Sequence, residues 1–167
     1  LRADTAAGDW QLNIIADSLE NGMRFAGGDI ESGDIDGDGD IDVVSFAHPG
    51  EWENGSAPSE IYWFENPSWE MHYVGQSSAF VKDVNLADLN NNGSPEIITI
   101  TFNTHQLCIF SKDDAPEYRL VKEMEVYNLH EGMDVGDIDG NGLVDVAFNG
   151  YWLKNNSEDI STDWQLL

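Results

Sequence analysis

Five aspartates crowd into the nine residues Asp34-Ile35-Asp36-Gly37-Asp38-Gly39-Asp40-Ile41-Asp42. Carboxylates this close repel one another unless a cation sits among them, and neither helix nor strand favours such a run. Side-chain oxygens at the first, third, fifth and ninth positions (Asp34, Asp36, Asp38 and Asp42), with the carbonyl of Asp40, form a set that can wrap one hard cation. The pattern recurs twice. Asp88, Asn90, Asn92 and Glu96 with the Ser94 carbonyl make a second set; Asp137, Asp139, Asn141 and Asp145 with the Leu143 carbonyl make a third. Oxygen-only ligands in a flexible turn suit calcium. Magnesium prefers a rigid octahedron that keeps water, and zinc asks for the His or Cys that these loops lack. Carboxylate counts of four, two and three rank the sites first, third, second in expected affinity, with two to three ions in all. The second loop departs most, with Asn91 where the others have glycine, and an ion-free Asx-rich turn is its alternative.

The chain that positions these loops is repetitive. Their first residues, Asp34, Asp88 and Asp137, stand 54 and 49 residues apart. Each loop runs into an apolar stretch: Val43-Val44-Ser45-Phe46, Ile97-Ile98-Thr99-Ile100 and Val146-Ala147-Phe148. Trp63-Phe64-Glu65-Asn66, Cys108-Ile109-Phe110-Ser111 and Trp152-Leu153-Lys154-Asn155 follow in phase, and Trp10, Trp69, Tyr118 and Trp164 each open a further short strand. One unit reads as four strands, in the first copy at residues 25–35, 41–47, 61–65 and 69–74. The breaks between them hold the Gly, Pro, Asn and Ser of turns. Asn149-Gly150 predicts a two-residue type I′ hairpin. No segment has convincing helical periodicity.

Four-stranded units of about 50 residues point to a β-propeller with one blade per unit. The loops, their spacing and their exit strands resemble the FG-GAP/VCBS repeats of integrin-alpha-like propellers and of secreted bacterial proteins. The resemblance covers nearly all of residues 1–167, taken as one segment. It implies an all-β partial propeller of three blades plus part of a fourth (a fourth-type strand at residues 10–15), with calcium loops between first and second strands. Because all ligands of a site come from one short turn, with few positions left for a substrate, the expected role of calcium is structural. First strands would line the axis with Asp29, Glu31, Asp83, Asn85, Gly132 and Asp134, either as an acidic channel or as hydrogen bonds between blades.

Composition narrows the setting. Seven basic residues face 32 acidic ones, a formal charge of −25, which argues against nucleic acid or an anionic membrane as partner. The one cysteine, Cys108, sits in an apolar run and is expected to be a buried, inert thiol. No stretch is apolar and long enough to cross a membrane as a helix. The calcium-type loops favour an extracellular, secreted or cell-surface location, and the leading Leu1 fits a processed or excised product. Asn54 and Asn155 begin glycosylation sequons, which matter only in a eukaryotic secretory setting.

Specific function is expected at the end away from the acidic loops. There the first unit carries a long connection, residues 48–60, with His48, Glu51, Trp52 and Glu53. An indole beside carboxylates suits a sugar ring and its hydroxyls. Arg24, Lys82 and His130 join it from the connections between units. Three readings follow. The first is a binding or adhesion module for carbohydrate or protein. The second is a fragment of a carbohydrate-active enzyme such as a polysaccharide lyase, although no catalytic constellation is visible. The third is an assembly unit whose ring is completed by other chains or further blades.

Overall fold

The computed structural model describes residues 11–16, 18–25, 28–49, 57–102, 104–113, 115–126, 132–162 and 164–167. Among these every regular element is a strand, and no helix is long and apolar enough to cross a membrane. The first sheet contains β1 (Met23–Arg24), β2 (Glu31–Gly33), β3 (Asp42–Pro49), β4 (Glu60–Glu65) and β5 (Glu70–Gln76). The second contains β6 (Val81–Ala87), β7 (Glu96–Thr101), β8 (Gln106–Ser111) and β9 (Arg119–Glu125). The third contains β10 (Met133–Gly136), β11 (Asp145–Phe148), β12 (Tyr151–Asn155) and β13 (Trp164–Leu166). The second and third are antiparallel meanders in sequence order, and so is β2-β3-β4-β5 of the first, to which β1 adds beside β3; the units expected from the loop spacing are three blade-like sheets.

Two differences from the sequence reading concern the first unit. Its first strand is not continuous over 25–35: β2 holds three residues, and the separate β1 pairs with the far end of β3, placing Arg24 opposite His48. Residues 11–15 form no strand, so the expected piece of a fourth unit is absent there; Trp10 lies outside the described residues. Elsewhere the agreement is close. Asn149 and Gly150 take φ of 50° and 80° and join the paired residues Phe148 and Tyr151, as a type I′ turn requires.

The sheets pack face to face through two apolar cores. Val44, Phe46, Ile61 and Trp63 of the first sheet meet Val84, Ile97 and Phe110 of the second. On the other side of the second sheet, Ile98, Ile100, Leu107 and Ile109 meet Val146, Phe148 and Leu153 of the third. The two-residue strand period explains how β7 serves both cores and is buried along its whole length. Each Ile or Phe so buried contributes about 1.5–3 kcal/mol. Contact is tight: a Cβ on Gly75 of β5 would stand 2.5 Å from the Phe110 ring. Cys108 is part of the first core, and burial pushes its thiol up to about 12, so it is inert as expected.

The polar residues of the first strands join neighbouring sheets. Asp83 accepts from the Gly132 amide at 3.2 and 3.3 Å, the Asn85 amide donates to the Met133 carbonyl at 3.0 Å, and Asp29 accepts from the Val84 amide at 3.4 Å.

Candidate metal centres

Each acidic loop is a turn wound about its own first residue. Asp34 accepts from the amides of Gly37 (2.8 Å) and Gly39 (3.1 Å). Asp88 accepts from Asn92 (3.0 Å) and Gly93 (2.9 Å), and Asp137 from Gly140 (2.8 Å) and Gly142 (2.9 Å). The fourth residue of each loop has positive φ: Gly37 at 88°, Asn91 at 58° and Gly140 at 76°. Asparagine tolerates this region better than other side chains. The second loop therefore keeps the shared path despite lacking that glycine.

The ninth residue does more than the sequence suggested. Asp42, Glu96 and Asp145 are at most 1% exposed. Each accepts from the amide of the loop's second residue: Ile35 at 2.9 Å, Leu89 at 2.8 Å and Ile138 at 3.0 Å. The other oxygen reaches the end of the third strand. Asp42 takes the Asn66 amide at 2.9 Å and Asp145 the Asn155 amide at 2.8 Å, whereas Glu96, one methylene longer, takes the Ser111 hydroxyl at 2.9 Å. The ninth carboxylate thus clasps the loop's start to its own sheet.

Ligand convergence differs among the loops. In the first, carboxylate oxygens of Asp34, Asp36 and Asp42 all lie within 4.8 Å of one another, and in the third those of Asp137, Asp139 and Asp145 do the same. Oxygens at about 2.3–2.6 Å from one calcium ion have such spacings, so both donor sets fit that ion. Asp38 stands outside the first group and accepts from the Asp40 amide at 2.8 Å. In the third loop Asn141 binds within the protein: its oxygen takes the Leu143 amide at 2.7 Å and its amide reaches the Asn155 carbonyl at 3.1 Å. The second loop has two carboxylates only, Asp88 and Glu96. Asn90 donates to Glu96 at 3.1 Å, and Asn92 accepts from the Ser94 amide at 2.8 Å. The carbonyls of Asp40, Ser94 and Leu143 remain the expected main-chain ligands.

Two electrostatic features were not legible beforehand. Lys154 forms an ion pair with Asp139, holding that carboxyl below the usual range. A cation in the third loop must compete with this ammonium. Removing the ammonium removes both that competition and its repulsion of the ion. Lys154→Ala is therefore expected to tighten calcium binding at that loop by roughly fivefold, read by titration calorimetry; unchanged affinity would show that the lysine stands aside at no cost.

The second feature is Glu96, whose burial raises its carboxyl from an ordinary 4.5 to about 7, against the opposing pull of the Leu89 amide and the Ser111 hydroxyl. The folded state thus holds this proton more tightly than the unfolded one. In metal-free protein the associated stability is complete below about pH 4.5 and is lost as pH rises through about 7. Glu96→Gln is expected to flatten that fall in melting temperature, and an equal slope in both proteins would rule it out.

Of the residues expected at the opposite end, His48, Lys82 and Arg24 are described. β3 extends to Pro49, so His48 lies in a strand and not in a loop. It is 1% exposed, packs on Phe80 at 4.6 Å between ring centres, and contacts the Pro49 carbonyl at 3.1 Å. This corrects its placement in the long connection. Lys82 is likewise 6% exposed, with its ammonium 5.8 Å from the Phe102 ring centre. Arg24 is exposed on β1. Glu51, Trp52, Glu53 and His130 lie outside the described residues. The far end of the long connection is anchored: the Ser59 amide meets Ser77 Oγ at 3.2 Å, and Ser59 Oγ accepts from the Val81 amide at 3.0 Å. Asn155 is fully buried and donates to the Leu89 carbonyl at 2.8 Å, so its sequon marks a packing residue and not a glycan acceptor.

The family model described as FG-GAP-like repeat matches residues 34–99. The chain carries an FG-GAP-like repeat. The matched stretch runs from the first residue of the first loop through the second loop and into β7. The third loop lies beyond it and repeats the same turn and clasp. No curated protein and no solved structure matches the chain significantly.

Proposed function

We propose that this FG-GAP-like repeat chain is a calcium-stabilised, extracellular β-propeller segment that serves as a binding or adhesion module. The supporting observation is the pair of convergent carboxylate groups in the first and third loops, each drawn from a single nine-residue turn. Calcium there holds the turns and leaves chemistry elsewhere. Recognition then falls to the end where Arg24 and the long connection with Trp52 lie, and the ligand class is carbohydrate or protein.

A glycan array, probed in millimolar calcium and again with chelator, tests this reading. Calcium-dependent binding that Trp52→Ala abolishes is the expected result. Release of unsaturated uronate from an acidic polysaccharide would instead favour the lyase reading, and neither binding nor turnover would leave assembly as the chain's role.

A further inference from the structure

The second acidic loop keeps the turn of the other two although, among the described residues, its carboxylates form no convergent group of three. Two bonds join it to the third unit, one buried and one at the surface.

The buried bond comes from Asn155, the last residue of β12. Its main-chain amide donates to Asp145 at 2.8 Å, and its carbonyl accepts from the Asn141 side chain at 3.1 Å. Asp145 and Asn141 are the ninth and fifth residues of the third loop, so an ion there fixes Asn155 from both sides. The Asn155 side chain donates to the Leu89 carbonyl at 2.8 Å, 66 positions away. Leu89 is the second residue of the second loop, and its own amide donates to Glu96 at 2.8 Å. Asp145, Asn155, Leu89 and Glu96 are at most 1% exposed, where water does not compete for these bonds.

The surface bond comes from Asn91. Its counterparts in the other loops are Gly37 and Gly140, and at a φ of 58° a glycine would sit there with less strain. The asparagine supplies what a glycine lacks. Its side-chain amide donates to the Gly142 carbonyl of the third loop at 3.1 Å. Gly142 in turn donates its own amide to Asp137 at 2.9 Å. The second loop is thus tied to the third at its second and fourth residues.

We propose that calcium in the third loop holds the second loop in its turn, with Asn155 and Asn91 as the positioning residues, so that the second turn is ordered by its neighbour's ion. This rests on reading the third loop as a calcium site. Without the ion, Asp137, Asp139 and Asp145 repel one another and the loop opens more readily. Asn155 and Gly142 move with it, and Leu89 and Asn91 lose fixed partners. With the ion bound, the third loop is already ordered and the second is held at a smaller cost in entropy. The first loop is the contrast. It has its own group of Asp34, Asp36 and Asp42, and its Ile35 carbonyl accepts from Lys112, outside the third unit.

Amide exchange in the full chain, followed by NMR at Gly39, Gly93 and Gly142, tests the coupling. Each is the sixth residue of its loop and donates to that loop's first aspartate. Asp139→Ala removes an exposed ligand of the third loop and leaves both connecting bonds in place. In millimolar calcium this variant is expected to exchange Gly93 about fivefold faster than the parent, the low end of typical couplings between sites. Its Gly93 rate should equal the parent's in chelator, and Gly39 should be unaffected. In Asn91→Gly, a purely local effect on the turn would change Gly93 equally with and without calcium. The expected result is that the difference between the two conditions shrinks while Gly142 keeps its own response. Gly93 protection that survives Asp139→Ala in calcium overturns the proposal, and so does a Gly93 rate indifferent to calcium in the parent. If Gly142 responds to calcium and Gly93 does not follow, the coupling alone fails; if Gly142 ignores calcium, the calcium reading of the third loop fails with it.

Discussion

Dialysis from millimolar calcium into chelator is expected to lower the melting temperature by about 10–20 °C. An ion present at a hundredfold excess over its dissociation constant stabilises the folded state by about 2.7 kcal/mol per site. The two convergent groups, Asp34 with Asp36 and Asp42, and Asp137 with Asp139 and Asp145, then supply about 5 kcal/mol between them. A chain of this size shifts by roughly 2–4 °C per kcal/mol. The metal-free loops also keep their carboxylates in mutual repulsion, which adds to the loss. Magnesium should restore little, because it sheds its water reluctantly and these turns offer no octahedral cage. Equal melting temperatures by scanning calorimetry with calcium and with chelator would remove calcium from the account of stability.

The second large effect separates two jobs within one loop. Asp42→Ala is expected to cost about 3–5 kcal/mol by urea denaturation already in chelator, and more in calcium where a ligand is lost as well, because leaving a buried donor unsatisfied costs about 1–3 kcal/mol. Two amides lose their acceptor at once: Ile35 at the loop's start and Asn66 at the end of β4. Asp36 is exposed and accepts one bond inside the turn, from the Asp38 amide at 3.1 Å. Asp36→Ala should therefore cost about 1 kcal/mol or less in chelator and show its main effect only when calcium is present. If the two variants prove equally mild without calcium, the clasp contributes nothing of its own.

These two residues also show how far the sequence could be read. Periodicity, loop spacing and turn chemistry are local, and they located the acidic turns, their exit strands and the Asn149-Gly150 hairpin. The clasp is not local. Asp42 meets Asn66 from 24 positions away, and nothing in either residue's neighbourhood announces the other. Lys154 escaped for the same reason, since only the folded hairpin carries its ammonium to Asp139. His48 was misplaced because β3 continues beyond residue 47, paired on one side with β4 and capped by the two-residue β1. A Pro49 at the end of such a strand reads from sequence as a loop signal, although proline is acceptable at a strand's last position. The polar first strands were legible as a set. Their bonding to neighbouring sheets was one of two alternatives until the packing was seen.

The exchange at the ninth position bears on whether the units are interchangeable parts. Where the first and third loops pair an aspartate with the backbone of an asparagine, the second pairs a glutamate with a serine hydroxyl. The extra methylene and the extra hydroxyl belong together. Grafting the third loop's Asp137–Asp145 sequence in place of Asp88–Glu96 would bring a more acidic turn, yet its shorter terminal acid would stop one carbon short of Ser111. The smallest piece that can be transplanted intact is therefore not the nine-residue turn. It is the turn with the last residue of the third strand, two segments separated by most of a hairpin and exchangeable only as a pair.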